Sequence, residues 1–180
     1  MVYWRLTLAN ASAASLEAIY QQNLTLFSRT GVDYQSWQHA PILDFEEDAR
    51  IAKELGWTAA PTKSLFMKIK GGGFCLLLTH RDGRLDSKLV KQLLGKRVSV
   101  CSNEEMVEAI GCEPGAVCPF ALPEDVKILV DPVVFSYPEL MFTPGKPDFT
   151  FAFASSSLIT LLEALPNTVI MLPERETEQV

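Results

Sequence analysis

Lysine, cysteine and histidine are the side chains in this sequence whose surroundings suggest chemistry. The stretch GCEPGAVCPF, residues 111–120, packs two glycines, two prolines and two cysteines into ten positions. Lys63 opens the otherwise apolar run TKSLFMKIK and places an ammonium at a strand end. His39 and His80 are the only two histidines. Residues 111–120 admit three readings. Cys118 with either histidine would form a thiolate–imidazole nucleophile. The two cysteines could be half of a metal site. Otherwise the glycines and prolines shape a loop whose backbone matters more than its sulfurs. Lys63 could hold a phosphate or polarise a carbonyl, or lie along the edge of a sheet with its head in water.

Several chemistries are disfavoured. Cys75, Cys101, Cys112 and Cys118 never form CxxC, and a zinc site needs about four nitrogen or sulfur ligands at short spacings. No metal or other cofactor is expected, and no disulfide framework. GxSxG, Walker, HExxH and GxGxxG patterns do not occur. Gly71–Gly73 joins two apolar runs, which reads as a hairpin turn and not as a phosphate cradle.

Charge is distributed unevenly. Between Lys63 and Arg97 nine basic residues face two acidic ones, a local balance of +7, and the rest of the chain carries −13 of the total −6. A basic island on an acidic body suits a small anionic target such as a nucleic-acid end; it would also arise from a solvated helix face and edge lysines that deter sheet pairing. At 180 residues the chain suits one domain. No apolar run reaches the roughly 20 residues of a membrane span, and the N-terminus lacks the apolar core of a signal peptide. A cytoplasmic protein without membrane partners is expected.

The elements that must position these residues follow from periodicity. Leu16, Ile19, Tyr20, Leu24 and Phe27 form a helical stripe over 12–30, ended by Gly31. Asp44 caps a second helix, FEEDARIAKELG, and Asp86 caps SKLVKQLLG. TKSLFMKIK and FCLLLTHRDG read as paired strands. SNEEMVEAIG carries a capping box from Ser102 or Asn103. DVKILVD, FTFAFA and NTVIML read as strands, with the helix SSSLITLLEAL before the last and a polar tail from Pro173. The fold class is α/β: a single compact domain with a mixed, mostly antiparallel sheet surrounded by helices.

Taken in order, GVDYQSWQHAPILDFEEDARIAKELG, TKSLFMK, RLDSKLVKQLLGKRVS and IGCEPGAVCPFAL resemble the YbaK/prolyl-tRNA editing-domain family of free-standing aminoacyl-tRNA deacylases. The resemblance spans about residues 31–172, leaving 1–30 as a helical extension of the same domain and 173–180 as tail. Its most specific elements are the lysine of TKSLF and the GxxxP loop, Gly115, Ala116, Val117, Cys118 and Pro119. It implies a partly barrel-like sheet and a pocket for the aminoacylated 3′ end of tRNA. It further implies hydrolysis of a small mischarged amino acid, of the Ala, Cys, Ser or Thr class, commonly from tRNA(Pro), after release by the synthetase, itself a possible partner. Neither metal nor protein nucleophile is implied; a ribose hydroxyl and a positioned water take part. Lys63 would orient the terminal adenosine, and the 115–119 backbone would face the scissile carbonyl and the water. Ser64, where many relatives have Asn, and Phe142, Thr143 and Asp148 would line the amino-acid pocket. Thr143 and Pro147 replace a histidine and an asparagine of the family's FHPxxNDAT-like stretch, and Cys118 replaces Ser or Thr. A relative that binds a tRNA end or a synthetase without hydrolysis is the alternative.

Overall fold

The computed structural model describes residues 11–42 and 44–175. Helix α1, Ala13–Thr30, starts at Ser12, whose side chain accepts from the Ser15 amide, and stops at Gly31 in the left-handed conformation. Strand β1, Tyr34–Gln38, leads to α2, Phe45–Leu55, capped by Asp44 through the Glu47 amide. Strands β2, Ala60–Ile69, and β3, Phe74–His80, form the hairpin. Its turn uses Gly71, Gly72 and Gly73 at φ of 93°, 129° and 86°, a backbone that side chains resist. Helix α3, Ser87–Leu94, follows its Asp86 cap, then β4, Val98–Val100. Helix α4, Asn103–Ile110, begins with a complete capping box between Ser102 and Glu105. Strand β5, Lys127–Val130, is followed by a 3-10 turn, Pro132–Ser136, and β6, Glu139–Phe142. Strand β7, Phe149–Ala154, α5, Leu158–Glu163, and β8, Val169–Met171, complete the described chain.

The strands make one sheet of eight in the order β1-β7-β6-β2-β3-β5-β8, with β4 also on β2. Pairing is mixed. β1–β7, β6–β7, β2–β3 and β2–β4 are antiparallel, whereas β2–β6, β3–β5 and β5–β8 are parallel. Alternation along the strands separates two apolar layers. Phe66, Leu76, Leu78, Ile128 and Val130 join Ile19, Leu26 and Phe27 of α1, Met106 of α4 and Leu158 and Leu161 of α5 in the main core. Met67, Ile69, Cys75, Leu77 and Leu129 pack under Val90 of α3. Phe66, on the face opposite Met67 and Ile69, is therefore as buried as they are, because helices cover both faces of the central strands.

Short β6 and the 3-10 turn went unread in the sequence, since a proline precedes ELMF and its pairing partners are distant. Helix α1 is integral to the main core. The N-terminal residues 1–10, on which the leader argument rested, and residues 176–180 of the tail lie outside the described residues. The tail's start is tied down: Arg175 donates from Nη2 to the Arg84 carbonyl at 2.9 Å and lies 3.8 Å from Asp131 Oδ2.

Candidate active site

A divergence of strands opens the site. On one edge of β2, β6 pairs with Ala60 and Pro61 and β4 pairs with Met67–Ile69. Between these, the edge faces a cavity of about 610 Å³, within the size range of ligand pockets. Hydrogen bonds from Arg81 N to Pro61 O and from Ile69 N to Gly73 O fix the phase of the β2–β3 ladder. Ser64 opposite Leu78 is then a non-hydrogen-bonded pair, so the Ser64 N–H and C=O turn toward the cavity edge. Two residues on, the Phe66 carbonyl accepts from Cys101 N at 3.0 Å on that same edge. Sheet polarity thus supplies one residue's donor and acceptor to the opening.

Lys63, Ser64, Phe142, Thr143, Gly115, Ala116 and Val117 all line this one cavity. Lys63 donates from Nζ to the Gly83 carbonyl at 2.6 Å. A Cβ on Gly83 would sit 2.1 Å from Thr79 Oγ1, so only glycine lets that carbonyl come so close. Gly115, at φ 84°, turns the loop out toward solvent. The Ala116 amide is used within the loop, donating to Glu113 O at 3.0 Å. Among the described residues the Gly115 and Val117 amides make no hydrogen bond.

The remaining expected site residues lie elsewhere. Cys118 and Pro119 are buried and do not line the cavity. Cys118 Sγ meets Asn23 of α1, accepting from Nδ2 at 3.3 Å with Oδ1 at 3.5 Å. Burial pushes the Cys118 thiol up to about 12. His39 bonds to the Ala40 carbonyl and to Thr150 Oγ1, and His80 stacks on Tyr137, so neither forms the thiolate–imidazole pair with Cys118. Asp148 is also outside the lining; its carbonyl accepts from His39 N at 2.9 Å and anchors the loop that carries Thr143 and Pro147. Both of those substituted residues do line the cavity. Among the described residues no group of three or more His, Cys, Asp or Glu is placed to hold an ion.

Sequence reasoning missed Arg81, Asp44, Asp48, Thr62 and Thr150 on the cavity wall. Asp48 pairs with Arg81 across from α2. A register count from the glycine turn would have placed Arg81 opposite Pro61, beside Lys63. Asp48 lies one helical turn after Asp44, on the same face.

Helix α1 braces the loops behind this wall. Ser15 Oγ donates to Gly111 O at 2.9 Å, and the Ala11 amide to Glu113 Oε2 at 3.1 Å. Gly111 and Gly145, at φ 64° and 99°, admit Ser15 and Ile19 to within 2.1 and 2.6 Å of where a Cβ would stand. Lys146 reaches Glu17 at 3.1 Å and lies over Tyr20 and Phe149.

The mixed sheet is thus opened at one edge, with Lys63 and the Gly115–Val117 loop lining the opening. Residues 40–161 match the family described as the aminoacyl-tRNA editing domain, and the chain belongs to it. It is 31% identical over 135 residues to the Multifunctional Ser/Thr-tRNA deacylase ProXp-y of Escherichia coli K12, covering 72% of this chain and 79% of that protein. It is 33% identical over 90 residues to a proline–tRNA ligase of Bacillus licheniformis, covering 49% of this chain but 16% of the ligase. A crystal structure described as a candidate trans-editing enzyme for prolyl tRNA synthetase shares the fold, with TM-score 0.69 and 22% identity over 92% of this chain and all of that one.

Proposed function

We propose that this protein is a trans-editing aminoacyl-tRNA deacylase that hydrolyses the ester joining a small mischarged amino acid to the 3′-terminal adenosine of tRNA, with tRNA(Pro) the first candidate. The observation that carries this is that Lys63 and the Gly115–Val117 loop line one open cavity. An obstructed cavity would have favoured a binding module without turnover.

In the reaction, a water oxygen bonds to the ester carbonyl carbon and the bond from that carbon to the ribose oxygen breaks. One proton of the water goes to the ribose oxygen, the other is released to solvent, and the amino acid leaves as a carboxylate. The two unengaged amides are suited to the oxyanion that develops, since fixed N–H dipoles need no reorganisation as charge forms. Lys63 exchanges its bond to Gly83 for a phosphate or sugar oxygen of the terminal nucleotide. Ser64, Thr143 and the Phe142 ring bound the space for the amino-acid side chain, where one methylene is worth about 1–3 kcal/mol of discrimination. Cys118 acts from behind the loop and its thiol takes no part. Thr143 and Pro147 make alanine specificity of the FHPxxNDAT type unexpected, so the Ser and Thr class leads.

Incubation with Ala-, Cys-, Ser- and Thr-charged tRNA(Pro) and with the corresponding cognate tRNAs, following ester loss, tests the reading. Acceleration for at least one small residue is expected. Rates equal to buffer throughout would overturn it, and a Lys63→Ala protein as fast as wild type would overturn the role of Lys63.

A further inference from the structure

Six cations outside the cavity lie between the end of β2 and the start of β4 in the chain. Lys70 follows β2 at the hairpin turn, Arg84, Lys88 and Lys91 lie on or before α3, and Lys96 and Arg97 connect α3 to β4. All six residues are exposed. Among the described residues none of them makes an ion pair, whereas Lys68, nearer the cavity, pairs with Glu105 at 2.5 Å. The backbone locks part of the group together, because the Lys70 amide donates to the Arg97 carbonyl at 2.8 Å. The Lys96 ammonium lies 3.6 Å from where a Cβ on Gly71 would stand, over the glycine turn. Three cations therefore share one end of β4.

The other end of β4 is the cavity. Val100 and Cys101 line it, and the strand runs from there through Ser99 and Val98 to Arg97. At about 3.3 Å per residue, Arg97 lies roughly 13 Å from the opening. A stacked nucleic-acid strand advances about 3.4 Å per nucleotide, so this span is on the order of four nucleotides. Among the described residues β4 pairs with β2 alone, which leaves its outer edge open, with Val100 54% exposed.

We infer that the hairpin turn, α3 and the outer edge of β4 form the surface that holds the tRNA backbone upstream of the terminal adenosine, where the unpaired 3′ end meets the acceptor stem. This rests on the deacylase reading. Its support is charge complementarity at a set distance: Lys70, Lys96 and Arg97, without ion-pair partners among the described residues, lie one strand away from the cavity on an otherwise acidic body. Two of the nearby acids are already engaged, Glu105 by Lys68 and Asp86 as the cap of α3 through the Leu89 amide; exposed Asp82 lies beside His80. A face whose lysines only kept the protein soluble would show no dependence on the length of the RNA.

The test compares two substrates on wild type and on the triple variant Lys70→Glu, Lys96→Glu, Arg97→Glu. One substrate is full-length aminoacyl-tRNA; the other is the same amino acid esterified to adenosine, which ends inside the cavity. The variant is expected to lose at least tenfold in kcat/KM on the full-length substrate while staying within twofold of wild type on the short one. The slope of log affinity against log salt for tRNA should fall by about 2–3, near one per phosphate contact removed. An unchanged rate and salt slope on full-length tRNA would overturn the assignment, as would equal losses on both substrates. If wild type hydrolyses neither, the deacylase reading fails by itself. Binding of uncharged tRNA then decides this surface: equal affinity for wild type and variant overturns it, and a salt-sensitive loss in the variant supports it.

Discussion

The two sides of the cavity are built by different physics. Behind the Gly115–Val117 loop, α1 is docked into the main core through Ile19, Leu26 and Phe27 and reaches the loop through Asn23 and Ser15. On the opposite side, α2 contributes Asp48 and its cap Asp44, buries Ile51, and meets β3's end through the Asp48–Arg81 pair. On the proposed deacylase reading the loop's amides must be held to fractions of an ångström, which close packing provides. The Asp48–Arg81 pair is part-buried, but one ion pair between two side chains holds geometry less tightly than a packed core, which suits a wall that a large substrate must pass.

The comparison can be broken most severely at Phe27, whose ring lies 6.2 Å from Phe120, just after the loop, and 6.1 Å from Phe142 on the cavity wall. Phe27→Ala should cost about 3–5 kcal/mol, read as a lower urea midpoint at unchanged slope. At Asn23, fully buried, truncation to Ala should cost about 1–3 kcal/mol by leaving its partner unsatisfied. The same change should reduce deacylation at temperatures where the protein remains folded. Asn23→Leu with Cys118→Val should recover most of the stability; a double variant as damaged as Asn23→Ala would argue against that pair as the link.

Buried thiols give a pH signature in both apolar layers, Cys118 in the main core and Cys75 in the layer under α3. Burial raises Cys118 from 9.0 to about 12 and Cys75 from 9.0 to about 11. Folded-state values raised in this way contribute stability that is present below about pH 9 and lost as pH rises toward those values. Each thiol should add a slope of up to about 1.4 kcal/mol per pH unit in that window. Denaturant melts from pH 8 to 11 should show the decline, and Cys118→Ser should flatten it.

Gly111→Ala introduces a Cβ in the left-handed region and against Ser15 Oγ. The left-handed backbone alone should cost about 1–2 kcal/mol. Adding Ser15→Ala should relieve the contact and leave the backbone cost, which thermal melts of the single and double variants would separate. The smallest effect belongs to α2. Asp48→Asn keeps an oxygen acceptor for Arg81 in this part-buried pair and should cost about 1 kcal/mol, with any effect on deacylation appearing in KM more than in kcat. A loss at Asp48 as large as that at Asn23 would erase the distinction between the two walls.

Local rules made much of this fold legible. Asp44, Asp86 and the Ser102–Glu105 box cap helices where the sequence places them, and three glycines turn the β2–β3 hairpin. Those signals act within a few residues and survive any tertiary context that lets the elements form. Lys63 and the Gly115–Pro119 stretch were legible as a pair through family resemblance, because that pattern preserves order and spacing. The importance of 13–30 was not legible: its stripe announces a helix, but Asn23 and Ser15 carry no sign that their partners lie 95 and 96 residues away.

From the sequence alone come the element types, the caps and the basic island between Lys63 and Arg97, since each depends on periodicity, backbone preference or composition, while the residues that mark an editing domain come through family resemblance. Tertiary structure alone decides that β4 and β6 part along β2 to expose Ser64, that Ala116 spends its amide inside the loop while Gly115 and Val117 do not, and that Cys118 faces Asn23 instead of the cavity. Strand divergence, hydrogen-bond parity and burial are set by which distant segments meet, and no local preference encodes that meeting.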